Sequence, residues 1–294
     1  KHLTAEMLKK VDAVVYDIQD VGTRYYTFLS TLLYALKDCA SAGKMLIILD
    51  RADPLGGKIV EGNVVRNDFL SFVGAYPLCM RYGLTAGEFA RMACSQLKLN
   101  CDLHVIPCIG WRREMQFPDY GNVWIPPSPN MPRFETALLY PGTCLFEGTN
   151  YSEGRGTASP FEVIGAPSAK ASSLAKTMNQ KHLAGVWFRP TFFTPTASKY
   201  QGIPCQGVQI HIMDRRLIRP VDVGIHLLWE CRKEDPEFAF LPPLNNTKLR
   251  PIDRIGGDRI IGDQSVSADF LLKTYRKESI AFRQQSQEYF IYRK

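Results

Sequence analysis

The sequence predicts an α/β fold, in which a doubly wound parallel sheet is followed by a second, smaller α+β domain. Three observations lead to this prediction. In the first half of the chain, short apolar segments rich in β-branched residues alternate with segments of helical periodicity. A proline-rich segment then interrupts the alternation, and the second half is less regular. We therefore place a domain boundary just after the proline-rich segment.

The first predicted unit is a strand, a helix and a second strand. Residues 11–17 are mostly apolar and predict a buried strand, and residues 45–49 predict another. Gly43 is a favourable residue for the end of the helix between them. Apolar residues recur at helical spacing in that helix: Tyr26, Leu29, Leu32, Leu33, Leu36 and Ala40. This order predicts two parallel strands joined by a right-handed crossover.

The next helix has a clear start signal, because Thr85 and Glu88 form a capping box. Residues 103–107 then predict a further strand. In a doubly wound sheet, ligands bind beyond the carboxyl ends of the strands. We therefore expect the polar residues at those ends to border a binding site: Asp17, Gln19, Asp20, Asp50 and Arg51.

The domain boundary follows residues 124–132, a segment with four prolines. Such a segment is incompatible with a regular helix or a central strand, and Trp124 and Met131 indicate that it is packed rather than flexible. The first domain then covers residues 1–134 and the second covers residues 135–294. In the second domain we expect a turn-rich polar stretch at 140–155, a strand at 207–213, and helices at 171–183, 222–231 and 267–276.

The composition is that of an ordinary globular protein. The 294 residues are 45% hydrophobic and 22% charged, which excludes a disordered chain or a coiled coil. No apolar run approaches the roughly 18 residues of a membrane-spanning helix, so we predict no membrane span. The net charge of +7 suits an anionic ligand, but the basic residues are too scattered to predict nucleic-acid binding.

The common motifs of cofactor and metal sites are absent from the sequence. It contains no Walker A loop, no Gly-x-Ser-x-Gly elbow and no His-Glu-x-x-His pair. Gly154 and Gly156 lack the third glycine of a dinucleotide-binding loop, and the eight cysteines include no Cys-x-x-Cys pair. We predict no cofactor and no metal, and expect most cysteines to be buried apolar residues.

Residues 17–26 form the first candidate site, because two carboxylates, an arginine and two tyrosines lie between a strand end and a helix start. One interpretation is structural: Asp20 caps the helix and Arg24 pairs with Asp17. The functional interpretation is a polar rim for a ligand, with the rings of Tyr25 and Tyr26 available to stack on a sugar.

Residues 146–156 form the second candidate site, because three glycines are interspersed with Glu147, Asn150, Glu153 and Arg155. Glycines allow the backbone to approach a ligand closely. One interpretation is a solvated surface loop with an internal Glu–Arg ion pair. The other is a site whose carboxylates accept sugar hydroxyls or transfer protons.

Two further segments carry weaker signals. Asn130, in the proline-rich segment, suits recognition of amide or hydroxyl groups, although a role in a turn fits equally well. Residues 50–57 predict a turn at the end of a strand. Glu61 follows this turn, and we expect it to face the same cleft as the strand ends.

The order of several segments resembles that of a known family. They are residues 17–26 (DIQDVGTRYY), 49–51 (LDR), 54–57 (PLGG), 126–132 (PPSPNMP), 140–150 (YPGTCLFEGTN) and 152–156 (SEGRG). Each is weak alone, but in this order they are highly specific. Together they resemble the exo-β-N-acetylmuramidase family of peptidoglycan hexosaminidases, from about residue 4 to residues 289–292.

The resemblance implies a Rossmann-like domain joined to a smaller α+β domain, with the active site in the cleft between them. It implies release of N-acetylmuramic acid from the non-reducing end of peptidoglycan fragments, without a metal or nucleotide. The expected partners are peptidoglycan-derived saccharides, and we predict no obligate protein partner. Because peptidoglycan lies outside the cytoplasmic membrane, the expected localisation is secreted or periplasmic.

Roles for the candidate residues follow from glycosidase chemistry, which uses an acid and a second group at the anomeric centre. We predict that Glu147 and Glu153 lie near the scissile bond, with Asp20 as a third catalytic candidate. Arg24 and Arg155 are expected to bind the lactyl carboxylate of muramic acid. The predicted substrate-binding residues are Asp17, Arg24, Tyr25, Tyr26, Asn130, Asn150 and Arg155, the asparagines reading N-acetyl or hydroxyl groups.

The resemblance also implies a segment before residue 1, with the first sheet strand and a loop similar to Ser-Pro-Glu-His-Gly. We expect the Glu of that loop to be the catalytic acid, and this chain to be part of a longer or processed polypeptide. The alternative function is a non-catalytic glycan-binding protein, which would keep the sugar contacts without that acid.

Overall fold

The structure is a computed structural model that describes residues 2–243, 247–263 and 265–293. Its helices are α1 (Ala5–Lys9), α2 (Phe28–Ala42), α3 (Ala86–Gln96), α4 (Phe134–Thr143), α5 (Ala171–Gln180), α6 (Pro220–Glu234), α7 (Pro251–Gly256) and α8 (Ala268–Ser286). Its strands are β1 (Ala13–Tyr16), β2 (Met45–Leu49), β3 (Glu61–Val64), β4 (Cys79–Arg81), β5 (Leu103–Ile106), β6 (Val163–Ala166), β7 (Val186–Phe193) and β8 (Cys205–Ile212). The fold is α/β, as the sequence predicted.

The first half of the chain builds a parallel sheet in the order β1-β2-β5. Ala13 pairs with Met45, and Leu46 pairs with Leu103. The three strands and the helical connection through α2 confirm the pattern that the sequence predicted. Because the strands are parallel, their carboxyl ends meet at one edge, which is the edge expected to bind a ligand.

Helices α2 and α3 pack on one face of this sheet and join its core. Helix α2 ends at Gly43, whose backbone is left-handed with a φ of 61°. Helix α3 begins at the predicted capping box: the Thr85 hydroxyl accepts a hydrogen bond from the Glu88 N–H, and the Glu88 carboxylate accepts one from the Thr85 N–H. Both of these helix ends therefore follow from local sequence signals.

The other face of the parallel sheet is open to solvent in the part of the chain that the structure describes. On three neighbouring strands, Val15, Leu49 and Ile106 are 56%, 39% and 53% exposed. Parallel sheets are usually covered on both faces. Leu49 also borders the cleft described below, so this apolar face continues into it.

The second half of the chain contains an antiparallel sheet in the order β6-β8-β7. Helix α5 packs on this sheet, and α6 packs between α4 and α5. Strand β8 and helices α5, α6 and α8 match predicted elements, whereas β6 and β7 carry no clear sequence signal. None of the described helices is both long and apolar enough to cross a lipid bilayer.

The stretch that the sequence predicted to be turn-rich begins instead with α4 and a 3₁₀ turn over Cys144–Gly148. All residues of α4 except Glu135 are buried, and Pro141 lies inside the helix. The prediction was wrong over residues 140–143, because packing on all sides stabilises a helix despite an internal proline. Residues 149–155 form bends and turns, as predicted.

Two hydrophobic cores hold the molecule together. The larger one surrounds α4 and α6 and also takes in Val21 and Tyr25 from the first half of the chain. The other lies under the parallel sheet and includes Phe282 from α8. Both halves of the chain therefore contribute to both cores, and the domain boundary at residue 134 stays a prediction.

Candidate active site

A cleft of about 1070 Å³ opens at the carboxyl ends of the parallel strands. One side consists of residues that follow β1 and β2, and the other consists of residues between 108 and 127, which follow β5. Ligands bind at this position in doubly wound sheets. The residues that line it include Asp17, Gln19, Phe28, Asp50, Arg51, Trp111, Phe117, Tyr120 and Trp124.

Aromatic side chains form much of the cleft wall. The Phe117 ring centroid lies 4.9 Å from that of Trp124 and 5.4 Å from that of Tyr120. The Trp124 Nε1–H donates to the Met131 carbonyl at 3.0 Å, which fixes the proline-rich segment beside the cleft. Aromatic walls with a few placed polar groups are typical of ligand pockets. The sequence predicted that the proline-rich segment is packed, but it did not predict that Phe117 and Tyr120 line the cleft.

Asp17 and Arg51 supply an ion pair at the cleft surface. The Arg51 Nε–H donates to Asp17 Oδ1 at 2.8 Å, and both side chains are nearly half exposed. The predicted structural pairing of Asp17 with Arg24 is therefore wrong, because Arg51 takes that place. A guanidinium has five N–H donors, so Arg51 can bind a ligand carboxylate while it stays paired with Asp17.

Asp50, also at the cleft edge, is held by four donors. Its carboxylate accepts hydrogen bonds from the Arg51 and Gly87 N–H groups at 3.1 and 2.8 Å. It also accepts from the hydroxyls of Thr85 and Tyr292 at 2.7 and 2.8 Å. Burial raises the pKa of Asp50 although the hydrogen bonds oppose this shift. Asp50 thus fastens the start of α3 and the last residues of the chain to the cleft.

Two further carboxyl groups, Asp20 and Asp53, are buried beside the cleft residues. Asp20 Oδ2 accepts from the Gly22 N–H at 2.8 Å and from the Tyr82 hydroxyl, and Asp53 Oδ1 accepts from the Leu55 N–H at 2.9 Å. Asp20 Oδ1 and Asp53 Oδ2 have no hydrogen-bond partner among the described residues. Burial raises the pKa of each group to about 7. Each can therefore hold a proton near neutral pH, which a general acid needs.

Asp20 was identified from the sequence, but its surroundings differ from both interpretations. It does not cap α2, which begins at Phe28 with Thr27 at the N-cap position. Its side chain is buried and does not line the cleft. Asp53 was missed, because the turn pattern of residues 50–57 explained it without any burial. The catalytic role of Asp20 stays a prediction.

Arg24 has an internal position. Its guanidinium donates to the carbonyls of Asn63, Leu78, Ile255 and Gly256 at 2.8, 2.8, 3.0 and 2.8 Å. The side chain is fully buried, and it connects the β3–β4 hairpin to α7. The predicted contact between Arg24 and a substrate carboxylate has no support here, because the side chain is buried and carbonyl groups bind both of its terminal nitrogens.

Tyr25 and Tyr26 are buried as well. The Tyr25 hydroxyl donates to the Pro141 carbonyl, and burial raises the pKa of Tyr25. The Tyr26 ring packs edge-to-face on Phe28 at 4.7 Å and on Tyr140 at 6.0 Å between centroids. With so little exposed surface, neither ring supports the predicted stacking on a sugar. Phe28, which lines the cleft, is the aromatic residue of this segment that a ligand can reach.

The second candidate segment is an ion-pair cluster. Arg155 Nη2 lies 2.6 Å from Glu147 Oε1, and Arg155 Nε lies 3.3 Å from Glu153 Oε1. Lys199 Nζ lies 3.0 Å from Glu153 Oε2. The Glu153 side chain is 2% exposed, whereas those of Glu147 and Arg155 are 31% exposed. The predicted Glu–Arg pair is present, but Glu153 is an internal anchor and Glu147 is the carboxylate that a ligand can reach.

The two predicted asparagines have different surroundings. The Asn150 Nδ2–H donates to the Glu237 carbonyl at 2.8 Å, and Asn150 Oδ1 accepts from the Ala239 N–H at 2.9 Å. Its side-chain amide therefore binds the backbone at 237–239 rather than a ligand. Asn130 is half-buried in a turn of the proline-rich segment, close in sequence to Trp124. Its predicted contact with the substrate stays a prediction.

A row of aromatic contacts connects the ion-pair cluster to the cleft. Phe28 on the cleft wall contacts Tyr26, and Tyr26 contacts Tyr140. Tyr140 packs on Phe161 at 4.7 Å, and the Arg155 guanidinium lies 4.9 Å from the centre of the Phe161 ring. This row of packed side chains thus connects the two candidate segments, although Glu147 and Arg155 do not line the cleft themselves.

The residues with metal-binding side chains are dispersed. Within residues 2–243, 247–263 and 265–293, no group of three or more His, Cys, Asp or Glu side chains could hold a metal ion. The eight cysteines are free thiols. Most of them are buried, as the sequence predicted: Cys39, Cys79, Cys144, Cys205 and Cys231.

Comparison with known proteins identifies one family over the whole chain. The family model described as the N-terminal part of exo-beta-N-acetylmuramidase NamZ matches residues 1–135, and the model of its C-terminal part matches residues 138–292. The peptidoglycan beta-N-acetylmuramidase NamZ of Bacillus subtilis (strain 168) is 40% identical over 296 residues. That match covers 99% of this chain and 70% of the relative.

Two solved structures of DUF1343 family proteins from Bacteroides fragilis NCTC 9343 have the same fold. One superposes with a TM-score of 0.89 at 33% identity, and the other with a TM-score of 0.76 at 28% identity. Each match covers 99% of this chain and 78% of the other chain. Since the family models, the curated relative and the solved structures all match both halves, this chain belongs to the exo-β-N-acetylmuramidase NamZ family.

Proposed function

We propose that this protein is an exo-acting β-N-acetylmuramidase, a glycoside hydrolase that releases N-acetylmuramic acid from the non-reducing end of peptidoglycan fragments. The observation that carries the proposal is the 40% identity, over 99% of the chain, to a Bacillus subtilis protein named as a peptidoglycan beta-N-acetylmuramidase. Because peptidoglycan lies outside the cytoplasmic membrane, we place the activity in the periplasm or outside the cell.

The strand-end cleft suits a saccharide. Its volume of about 1070 Å³ is large enough for more than one sugar ring. Phe28, Phe117 and Trp124 offer apolar ring surface, and Gln19 and Asp17 offer hydrogen-bonding groups at the strand ends. This combination of ring faces and a few polar groups supports binding of the terminal sugar in this cleft.

Arg51 is the residue best placed to recognise muramic acid. It is the only Arg or Lys among the described residues that line the cleft. Muramic acid differs from glucosamine in its lactyl carboxylate, and a guanidinium fork matches a carboxylate in shape and charge. Asp17 holds the guanidinium in place at 2.8 Å. We therefore assign to Arg51 the role that the sequence predicted for Arg24, and the contact of Arg155 with the lactyl carboxylate stays a prediction.

Hydrolysis needs a protonated acid at the leaving oxygen and a group that acts at the anomeric carbon. Among the predicted carboxylates, Asp20 has a pKa raised to about 7 and can therefore hold a proton near neutral pH. Glu147 is more exposed than Glu153, the other carboxylate of the ion-pair cluster. We keep these two as the catalytic candidates within this chain. Glu153 is the weaker candidate, because Arg155 and Lys199 both neutralise it.

The direct test uses the two disaccharides that peptidoglycan cleavage can yield. We expect the complete protein to release N-acetylmuramic acid from a disaccharide with muramic acid at its non-reducing end. We expect no release from the disaccharide of opposite order, which has N-acetylglucosamine at that end. Mass spectrometry of the products distinguishes the two. Binding of both disaccharides without any product would contradict the proposal and point to a glycan-binding protein.

The role of Arg51 has a separate test. We expect Arg51→Ala to raise KM for a muramic acid glycoside roughly tenfold, because one charge-assisted contact is lost, with a smaller effect on kcat. Arg51→Lys should restore part of the affinity. Arg112→Ala is the matched control, because Arg112 is similarly exposed but does not line the cleft. An unchanged KM for Arg51→Ala would remove Arg51 from the site.

A further inference from the structure

A second cavity of about 360 Å³ lies between β3, the start of α6 and α8. It shares no described lining residue with the strand-end cleft. Glu61, which the sequence predicted to face that cleft, lines this second cavity instead. The volume falls in the range of sites for small molecules, roughly 300–1,000 Å³. We call it the α6–α8 cavity.

Basic side chains outnumber acidic ones around the α6–α8 cavity. Two of the basic groups have partners: Arg276 Nη2 lies 2.7 Å from Asp222 Oδ2, and Lys58 Nζ lies 3.8 Å from Glu114 Oε2. The basic lining residues are Lys58, Arg219, Arg276 and Arg283, and the acidic ones are Glu61 and Asp222. The surplus of positive charge favours an anionic ligand.

Arg219 and Arg283 supply the positive charge that is left over, because neither forms an ion pair within the described chain. Arg219 occupies the N-cap position of the 15-residue helix α6, where its side chain caps no N–H of the described helix. Ser, Thr, Asp or Asn usually take this position. The first N–H groups of a helix and its dipole favour an anion at this end, and Val221 of the first turn lines the cavity.

Glu61 adds an independent sign of a ligand. Its side chain is 6% exposed, and its Oε2 accepts a hydrogen bond from Arg81 Nη1 at 3.1 Å. Its other oxygen, Oε1, has no hydrogen-bond partner in the part of the chain described here. Leaving a buried acceptor without a partner is unfavourable. A hydroxyl or amide N–H of a ligand in the cavity would supply the missing donor.

We propose that the α6–α8 cavity binds an oxyanion, either a carboxylate or a phosphate, on a ligand that also carries a hydroxyl or amide donor. The guanidinium groups of Arg219 and Arg283 and the N-terminus of α6 hold the oxyanion. Glu61 Oε1 accepts the hydrogen bond from the ligand's donor. The site is independent of the strand-end cleft, so the proposal holds or fails separately from the hydrolytic activity.

Two probes separate the sources of the oxyanion. Glycerate carries a carboxylate and hydroxyls, and glycerol 3-phosphate carries a phosphate and hydroxyls, whereas glycerol is the neutral control. We expect isothermal titration calorimetry of the complete protein to show saturable binding of at least one of the two anions. Glycerol should not bind. The anion that binds more tightly identifies the class of natural ligand.

Variants locate the binding site. We expect Arg219→Ala and Arg283→Ala each to weaken the binding roughly tenfold, because each removes one charge-assisted contact. Both arginines are exposed, so neither substitution should disturb folding, and thermal melting checks this. Arg91→Ala, at an exposed position of α3, is the matched control and should bind as the wild type does.

Three results would overturn the proposal. They are no saturable binding of either anion, unchanged binding by both cavity variants, and equal weakening by Arg91→Ala. The Arg283→Ala variant should also hydrolyse a muramic acid glycoside at the wild-type rate, because Arg283 lies outside the cleft. A defect in hydrolysis alone, with anion binding unchanged, would count against the cavity site.

Discussion

At the residue scale, the surroundings of each carboxyl group set what it can do. Glu153 is buried, but Arg155 and Lys199 lie 3.3 and 3.0 Å from its two oxygens. Asp20 and Asp53 are buried too, yet neither forms an ion pair in the described structure. Burial therefore raises the pKa of both to about 7, whereas Glu153 differs from them in having two cationic partners.

This difference predicts a pH dependence of stability. The unfolded chain loses the protons of Asp20 and Asp53 near pH 3.8, whereas the folded chain keeps them up to about pH 7. The stabilisation that these two groups give to the folded state is therefore complete below pH 3.8. It decreases as the pH rises and is lost once the pH passes about 7. The side chain of the Asp53→Asn variant cannot ionise. When the pH is raised from 4 to 8, the free energy of unfolding of this variant should therefore increase by up to about 4 kcal/mol relative to that of the wild type.

Urea unfolding of Asp53→Asn and the wild type at both pH values measures this gain. Asp12→Asn is the control, because Asp12 is exposed in the turn before β1 and should unfold with the same pH dependence as the wild type. Equal pH slopes for Asp53→Asn and the wild type would show that Asp53 ionises normally in the folded protein.

The two glutamates of the second candidate segment should respond differently to substitution. Glu153→Gln leaves Arg155 and Lys199 without their buried partner and should lower the free energy of unfolding by about 3 kcal/mol or more. Glu147→Gln breaks a partly exposed pair and should cost less than about 1 kcal/mol.

We expect Glu147→Gln to lower kcat/KM at least about tenfold, as for the loss of an acid or base group. Unchanged turnover in both variants would contradict the carboxylate prediction.

At the scale of secondary-structure elements, the sequence predicted those parts whose signals are local. Gly43 ends α2, and the Thr85–Glu88 capping box starts α3, where they were predicted. Strand β3 was missed, because its residues Glu61–Val64 include a glycine and an asparagine and gain their structure from pairing with β4. Tertiary contacts, which no local pattern reveals, decide such elements.

The same distinction applies to the candidate site. The rule that ligands bind at strand ends located the cleft and its residues Asp17 and Arg51. The burial of Arg24 could not be predicted, since two of its carbonyl partners belong to residues 255–256. Lys199 pairs with Glu153 across 46 residues of sequence, so the internal role of Glu153 left no local signal either.

Helices α4 and α6 cross so closely that glycine is required at the contact. A Cβ atom at Gly142 would lie 1.8 Å from the Pro220 carbonyl oxygen, and one at Gly224 would lie 2.3 Å from the Gly142 carbonyl oxygen. We expect Gly142→Ala to lower the free energy of unfolding by about 3 kcal/mol, because the helices must separate. Urea unfolding measures this loss.

Gly74→Ala is the matched control for that substitution. A Cβ at Gly74 would lie 3.6 Å from Arg24 Cδ, which is an ordinary contact. The loss of stability there should stay below about 1 kcal/mol. If Gly142→Ala costs no more than Gly74→Ala, the crossing of α4 and α6 is looser than the structure indicates.

At the scale of the whole molecule, the last residues of the chain return to the first half and shape the cleft. The Tyr292 hydroxyl donates to Asp50 at the cleft edge at 2.8 Å. The Arg113 guanidinium lies 3.4 Å from the centre of the Phe290 ring and pairs with Glu88 at 2.7 Å. The cleft is therefore a product of the complete fold rather than of the parallel sheet alone.

The family membership and the strand-end cleft together support a hydrolase that recognises muramic acid. The measurement that tests this most directly compares two chromogenic glycosides, of β-N-acetylmuramic acid and of β-N-acetylglucosamine, with the complete protein. We expect release of the chromophore from the muramic acid glycoside alone. Release from neither glycoside by a folded protein, or equal release from both, would contradict it.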